Sequence, residues 1–254
     1  MKTVEEIYSF LCTFAPPETQ LAFDNAGFLV GRRKTQVKRA LLALDITDDV
    51  IDEAAELGAE LIVSHHPVIF HKLRSVSDAG WDDRALLLAE KGLAAICMHT
   101  NLDIAEGGVN DVLIARLGAS CEGPLDSDHC GRVGMLPEEM SLRDFMARCK
   151  TELKVAALRY YDAGHPVKRL AVMGGAGGDA LEDVLEKGCD NYVTADIKYH
   201  QFLDAAKMGI NLIDADHFCT ENPIIPVLAD KLRAAFPDVE FLVSQRHRAI
   251  ISFF

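Results

Sequence analysis

Val37-Lys38-Arg39-Ala40-Leu41-Leu42-Ala43-Leu44 and Val167-Lys168-Arg169-Leu170-Ala171-Val172-Met173 open two stretches that align without gaps at an offset of 130 residues. At that offset Asp49 falls on Asp179, Glu56 on Glu186, Gly58 on Gly188, Val63 on Val193 and Ser64 on Thr194. Each copy reads as a short apolar strand (Ala40 to Leu44; Leu170 to Met173), a loop, and an amphipathic helix that the glycine ends. A second strand follows (Glu60 to Ser64; Asn191 to Thr194). Each copy then adds a helix, a terminating glycine and a strand: Arg84 to Glu90, Gly92 and Leu93 to Met98 in the first, Gln201 to Lys207, Gly209 and Asn211 to Ala215 in the second. Strands alternating with helices of this length predict βαβ units and largely parallel or mixed sheets. The expected fold class is α/β, built by duplication, with residues 1–254 forming a single unit. Its first repeat spans about 37–120 and its second about 167–254. Between them, about 121–166, Gly123-Pro124, Gly131, Gly134 and Gly164 interrupt a stretch with few long apolar runs, which reads as a connector with a helix near Leu142 to Lys150.

The chain has 254 residues, of which 49% are hydrophobic and 26% charged, the composition of an ordinary globular protein with ample capacity for a core. A net charge of -13 argues against nucleic acid or an anionic membrane as a partner, because both repel an acidic surface. The seven cysteines include no C-x-x-C pair, and the N-terminus lacks a basic stretch followed by an apolar run. No apolar segment approaches the roughly 20 residues that cross a bilayer. A cytoplasmic protein with reduced thiols is expected.

The chemistry gathers at strand ends, where α/β sheets place their ligands. Leu61-Ile62-Val63 runs into Ser64-His65-His66-Pro67. Neighbouring residues on a strand face opposite ways, so both imidazoles serve one site only if the backbone turns, as Pro67 favours. The next strand of that copy leads to His99 and Asp103, of which Asp103 lies just beyond the strand end and His99 nearer the sheet. In the second copy Ile213-Asp214-Ala215-Asp216 leads to His217, with Glu221 four residues on; Thr220 reads as an N-cap and Pro223 as a first-turn residue. Singly, each has an ordinary explanation: a hydrogen-bonded core histidine, a turn aspartate, a glutamate favourable to a helix dipole. Together, His65, His66, Asp103, His217 and Glu221 offer three imidazoles and two carboxylates, predicted to meet in a cleft between the two halves. Mixed nitrogen and oxygen donors suit Zn, Fe, Mn, Co or Ni rather than Ca or Mg, and two bridging-capable carboxylates suit a pair of ions.

Two further motifs accompany this set. Met173-Gly174-Gly175-Ala176-Gly177-Gly178 follows a strand and precedes a helix, so it is either an anion cradle or a glycine turn lining the cleft. It lacks the Walker lysine and the G-x-G-x-x-G spacing. Thr194-Ala195-Asp196-Ile197-Lys198-Tyr199-His200 is the second-copy counterpart of Ser64-His65-His66. Asp196 and His200 are candidate proton carriers or hydrogen-bond partners of the ligands, with a helix cap and a surface histidine as the plainer readings.

With these pieces the chain resembles the NIF-like dinuclear metal-centre hexameric proteins, homologues of type 2 GTP cyclohydrolase I. The resemblance rests on Phe23-Asp24-Asn25-Ala26-Gly27-Phe28-Leu29-Val30-Gly31, Ser64-His65-His66-Pro67, His99-Thr100-Asn101-Leu102-Asp103, Gly107-Gly108-Val109-Asn110-Asp111, Thr194 to His200, and Asp216-His217-Phe218-Cys219-Thr220-Glu221, in that order and over most of the chain. It implies two intertwined α/β halves with mixed sheets, two divalent metal ions per chain held by His65, His66, Asp103, His217 and Glu221, and a toroidal homohexamer arranged as a trimer of dimers. Phe23 stands where the family leads one to expect tryptophan, and Ala195 and Asp216 where glycine is usual. Cys219 lies near enough to be a soft ligand or an oxidation-sensitive bystander. The function the resemblance implies is metal-dependent hydrolysis, with the imidazole ring of GTP as the target. A two-metal phosphoesterase or other small-molecule hydrolase is the second expectation, and a non-catalytic metal-binding scaffold hexamer the third.

Overall fold

The computed structural model describes residues 2–80 and 82–253. They divide into two compact units, Met1–Ala105 with Ile225–Arg248, and Glu106–Ile224 with Ala249–Phe254. The chain thus leaves the first unit, builds the second and returns, which is the intertwining expected of the family.

The sheet of the first unit runs in the order Glu240–Val243, Arg39–Ala43, Leu61–Ser64, Ala94–Cys97, Gly27–Val30. Its first four strands are parallel and Gly27–Val30 is antiparallel at the edge. Leu61–Ser64 and Ala94–Cys97 are buried along their whole length, as apolar runs covered on both faces must be. The helix Asp48–Glu56 follows the strand Arg39–Ala43 and starts where Thr47 accepts from the Val50 amide and Asp48 and Asp49 face the positive end of the helix dipole. Its buried Val50, Ile51 and Ala54 pack with Leu41, Ile62 and Ala95 of the sheet.

In the second unit Val167–Val172, Asn191–Thr194 and Asn211–Asp214 form the parallel centre of a sheet. Ser120–Pro124 and Arg132–Met140 extend it antiparallel on one side and Arg159–Tyr161 on the other. Its two faces carry separate cores, one around Phe145, Leu170 and Ile213, the other around Ala171, Tyr192 and Leu212. The stretch read as a connector therefore supplies three strands, and its helix runs to Leu153. These strands sit at or near sheet edges, and Ser120–Pro124 and Arg159–Tyr161 contain no buried residue, so they lack the apolar runs that mark the central strands. Gly134, which reads as a turn residue, lies inside a strand where a Cβ would press on Ser120 O and Ile114 Cδ1, both 2.5 Å away.

The duplication is visible in one local device. In the first copy Gly58 N bonds Ala55 O and Ala59 N bonds Ala54 O; in the second, Gly188 N bonds Leu185 O and Cys189 N bonds Val184 O. Both are Schellman ends with the glycine left-handed, at φ 67° and 68°. Arg39 then donates to Leu57 O and Arg169 to Lys187 O, so the same arginine of each first strand pins the same carbonyl of each following helix.

The returning strand Glu240–Val243 is locked by Glu53 on the Asp48–Glu56 helix. The Glu53 carboxylate is nearly buried and accepts from Ser244 Oγ at 2.5 Å, Gln245 N at 2.9 Å and Arg246 N at 3.3 Å. Glu53→Ala is expected to cost about 2–4 kcal/mol, because buried donors lose a charged acceptor. It should also speed amide exchange at Gln245 and Arg246. A loss below about 0.5 kcal/mol in urea titrations would show that this carboxylate does not hold the turn.

Candidate metal centre

The strand Leu61–Ser64 stops one residue before the histidine pair. His65 N and His66 N both donate to Leu44 O, at 3.2 and 2.9 Å, and Ser64 Oγ donates to His66 O. The backbone turns there, as the pair requires to serve one site. One ring nitrogen of each of His65, His66 and His99 lies within 4.8 Å of the others. Asp103 is on the short helix Thr100–Ile104, which places its Oδ1 3.7 Å from His65 Nε2.

His99 is the imidazole that sequence reasoning set aside. It sits at the N-terminal boundary of the Thr100–Ile104 helix, with its ring edge-on to His65 and His66 at centroid distances of 5.2 and 5.5 Å. Its position is fixed by Asp24, whose Oδ1 accepts from His99 Nδ1 at 2.7 Å while Oδ2 accepts from Thr100 N and Oγ1. Burial works to raise the Asp24 carboxyl, but the hydrogen bonds from His99 and Thr100 outweigh it and hold it at about 2. The signal was present in the Asp24-Asn25 motif, although nothing in the sequence shows which side chain Asp24 faces.

In the second unit His217 and Glu221 lie on the helix His217–Glu221, with Nε2 and Oε2 3.1 Å apart. This differs from the expected local structure. Asp216, not Thr220, is the N-cap, accepting from Cys219 N, and Glu221 ends this helix rather than beginning the next. Thr220 instead donates its hydroxyl to His217 O and accepts from Gly175 N. Asp196 Oδ2 meets His217 Nδ1 at 2.7 Å. Asp196 is thus the partner of the His217 ring, whereas His200 lies exposed on the helix Tyr199–Met208.

The glycine-rich loop is a close-packing turn, not an anion cradle. Gly174 N is bonded to Asn110 Oδ1, Gly175 N to Thr220 Oγ1 and Gly177 N to Thr194 Oγ1, so these amides are already used. A Cβ on Gly175 would collide with Glu221 Oε1 and lie 3.1 Å from His217 Nε2. The glycine lets the backbone pass beneath the ligand pair, in a conformation (φ 67°) that favours glycine in any case.

The donor set passes a chemical test for metal. His65 Nδ1 faces Met98 O at 2.8 Å, His66 Nδ1 faces Asp45 Oδ1 at 2.7 Å, His99 Nδ1 faces Asp24 and His217 Nδ1 faces Asp196. A carbonyl or carboxylate oxygen only accepts, so each Nδ1 carries a proton, and in the neutral ring Nε2 is the nitrogen that keeps a lone pair. This is how proteins present imidazole to a metal. Burial and the neighbouring Asp216 push the Cys219 thiol up to about 12.

The profile of the Duf34/NIF3 (NGG1p interacting factor 3) family matches residues 2–249. The chain belongs to the Duf34/NIF3 family. Within it, the Clostridium perfringens protein named GTP cyclohydrolase 1 type 2 homolog is 35% identical over 251 residues, covering 95% of this chain and 96% of its own. The crystal structure of Staphylococcus aureus hypothetical protein SA1388 superposes with a TM-score of 0.92 at 26% identity, covering 99% of each chain. Reduced HcgD from Methanocaldococcus jannaschii superposes with a TM-score of 0.84 at 27% identity, covering 96% of this chain and 98% of its own.

Gly175→Ala is expected to weaken metal binding by tenfold or more, because the methyl displaces Glu221 and His217, and to cost about 1–2 kcal/mol for the left-handed backbone. Gly164→Ala is the control, since φ is again positive (86°) but no heavy atom lies within 4 Å of its added Cβ. Equal metal affinity in the two variants, measured by competition with a chelating dye, would show that Gly175 does not support the ligands.

Proposed function

We propose that this chain binds two divalent metal ions through His65, His66, Asp103, His217 and Glu221 and acts as a metal-dependent hydrolase. Its best candidate reaction is opening of the purine ring of GTP, as the names of its relatives suggest. The observation that supports this most is the uniform presentation of Nε2 by His65, His66 and His217, each with Nδ1 tied to a fixed acceptor. Such second partners are expected for metal-ligating histidines. Bound metal would polarise a substrate and activate water for attack.

The chain's own residues set the conditions for that chemistry. Asp196 holds the His217 ring, and the Gly174–Gly175 turn presses against Glu221 so that its carboxylate is confined. Asp45 is lifted by burial, but hydrogen bonds from His247 and His66 outweigh this and keep it below the ordinary carboxylate range, so it stays an acceptor for His66. Asp196 acts through His217, and is therefore a positioning residue rather than a proton carrier. We further propose that the protein assembles as a homohexamer, which sedimentation velocity would report directly.

Purified protein should carry about two equivalents of Zn, Fe, Mn, Co or Ni per chain, reduced by Glu221→Ala. Loaded protein should release formate from GTP, and His65→Ala should abolish that release. Metal-free protein whose melting temperature ignores every added ion would overturn the metal reading. Full loading with no turnover on GTP, phosphoesters or other metabolites would leave a metal-binding hexamer without hydrolase activity.

A further inference from the structure

We propose that His247, on the returning C-terminal segment, is a positioning residue for the ligand His66 and acts through Asp45. The inference rests on the reading of His66 as a metal ligand, but its geometry stands independently.

The strand Glu240–Val243 pairs in parallel with Arg39–Ala43, and the turn that follows folds back over the end of the latter. Ser244 N donates to Leu42 O, Glu53 accepts from Ser244, Gln245 and Arg246, and His247 N donates to Ser244 Oγ at 3.0 Å. This places the His247 side chain, only 5% exposed, between Leu44 and Asp45. Leu44 N lies 3.3 Å from His247 Nδ1. A backbone N–H only donates, so Nδ1 is the acceptor and the ring proton sits on Nε2. That Nε2 donates to Asp45 Oδ2 at 3.0 Å, which leaves Oδ1 to accept from His66 Nδ1 at 2.7 Å.

The direction of every bond is therefore fixed, from the Leu44 amide through His247 and Asp45 to His66. Leu44 keys both ends of the relay, since its carbonyl accepts from His65 N and His66 N while its N–H orients His247. Asp45 is partly exposed and would otherwise exchange water on either oxygen and rotate. With His247 on Oδ2 the carboxylate is held so that His66 adopts the tautomer with its proton on Nδ1. Nothing in the ligand motifs points to His247, because it lies 202 residues from Asp45 and reaches it only through the returning strand.

The test compares His247→Phe, which fills the space without the two hydrogen bonds, with His247→Gln, whose amide supplies both a donor and an acceptor. Long-range proton–nitrogen NMR of the metal-free protein, at a pH where imidazoles are neutral, should show His66 as the Nδ1–H tautomer in wild type and His247→Gln and as a tautomer mixture in His247→Phe. Zn(II) affinity, read by chelator competition, should fall about tenfold to a hundredfold in His247→Phe and return to within about threefold in His247→Gln. Wild-type tautomer and Zn(II) affinity in His247→Phe would overturn the proposal. If that variant does not fold, wild type still decides: His247 found as the Nδ1–H tautomer would break the relay at Leu44. If wild type takes up no Zn(II), the metal reading fails, while the tautomer measurements still decide whether His247 sets the state of His66.

Discussion

An imidazole has two nitrogens and can lend a metal only one, so its value as a ligand depends on what holds the other. Here the held atom is Nδ1 in His65, His66, His99 and His217 alike, and the holders differ: a backbone carbonyl for His65 and carboxylates for His66, His99 and His217. Three of these acceptors are themselves fixed. Met98 N is bonded to Ser64 O within the parallel ladder, Asp24 is clamped by Thr100, and Asp45 is clamped by His247. Much of the surrounding structure makes sense as support for these acceptors. A loose acceptor would let the ring flip and convert a preorganised ligand into one that must be ordered at the moment of binding.

The duplication shows how such a set arises from one βαβ element used twice. Ser64-His65-His66 and Thr194-Ala195-Asp196 occupy equivalent strand ends. In the first copy that end supplies two imidazoles; in the second it supplies the carboxylate that orients His217 from the neighbouring strand end. The framework around both is the same, with an arginine of the first strand pinning the helix carbonyl and a left-handed glycine closing the helix. Framework and chemistry are thus separable within one fold, the general relation between a scaffold and the sites grafted on it.

This separation explains what was legible in the sequence. Helix ends were readable because a Schellman turn demands glycine locally, and central strands because double burial leaves an unbroken apolar run. The histidine pair was readable from its place after such a run. The edge strands between 120 and 166 are not legible, since exposure removes their pattern, and Thr220 reads as a cap because hydroxyl residues serve turns and helix starts alike. Asp196 is legible as a candidate hydrogen-bond partner beside His200, whereas the acceptors Asp24 and Asp45 resist reading most. Their identity as partners depends on which histidine faces them, and that is decided by tertiary contacts over separations of 21 to 75 residues.

Asp196 and Asp216 show how local strain and function are joined. Both are non-glycine residues with positive φ, 55° and 68°, and both flank His217 in the fold. Such conformations cost of order 1–3 kcal/mol each and persist only where something else compensates. For Asp196 the compensation is the bond to His217 Nδ1; for Asp216 it is the cap on Cys219 N. Glycine would relieve the strain at either position but could form neither bond. At position 216, where the family resemblance leads one to expect glycine, the extra carboxylate is therefore spent on capping the ligand helix. It holds the start of the His217–Glu221 turn in place and, after burial, adds to the upward shift of the Cys219 thiol.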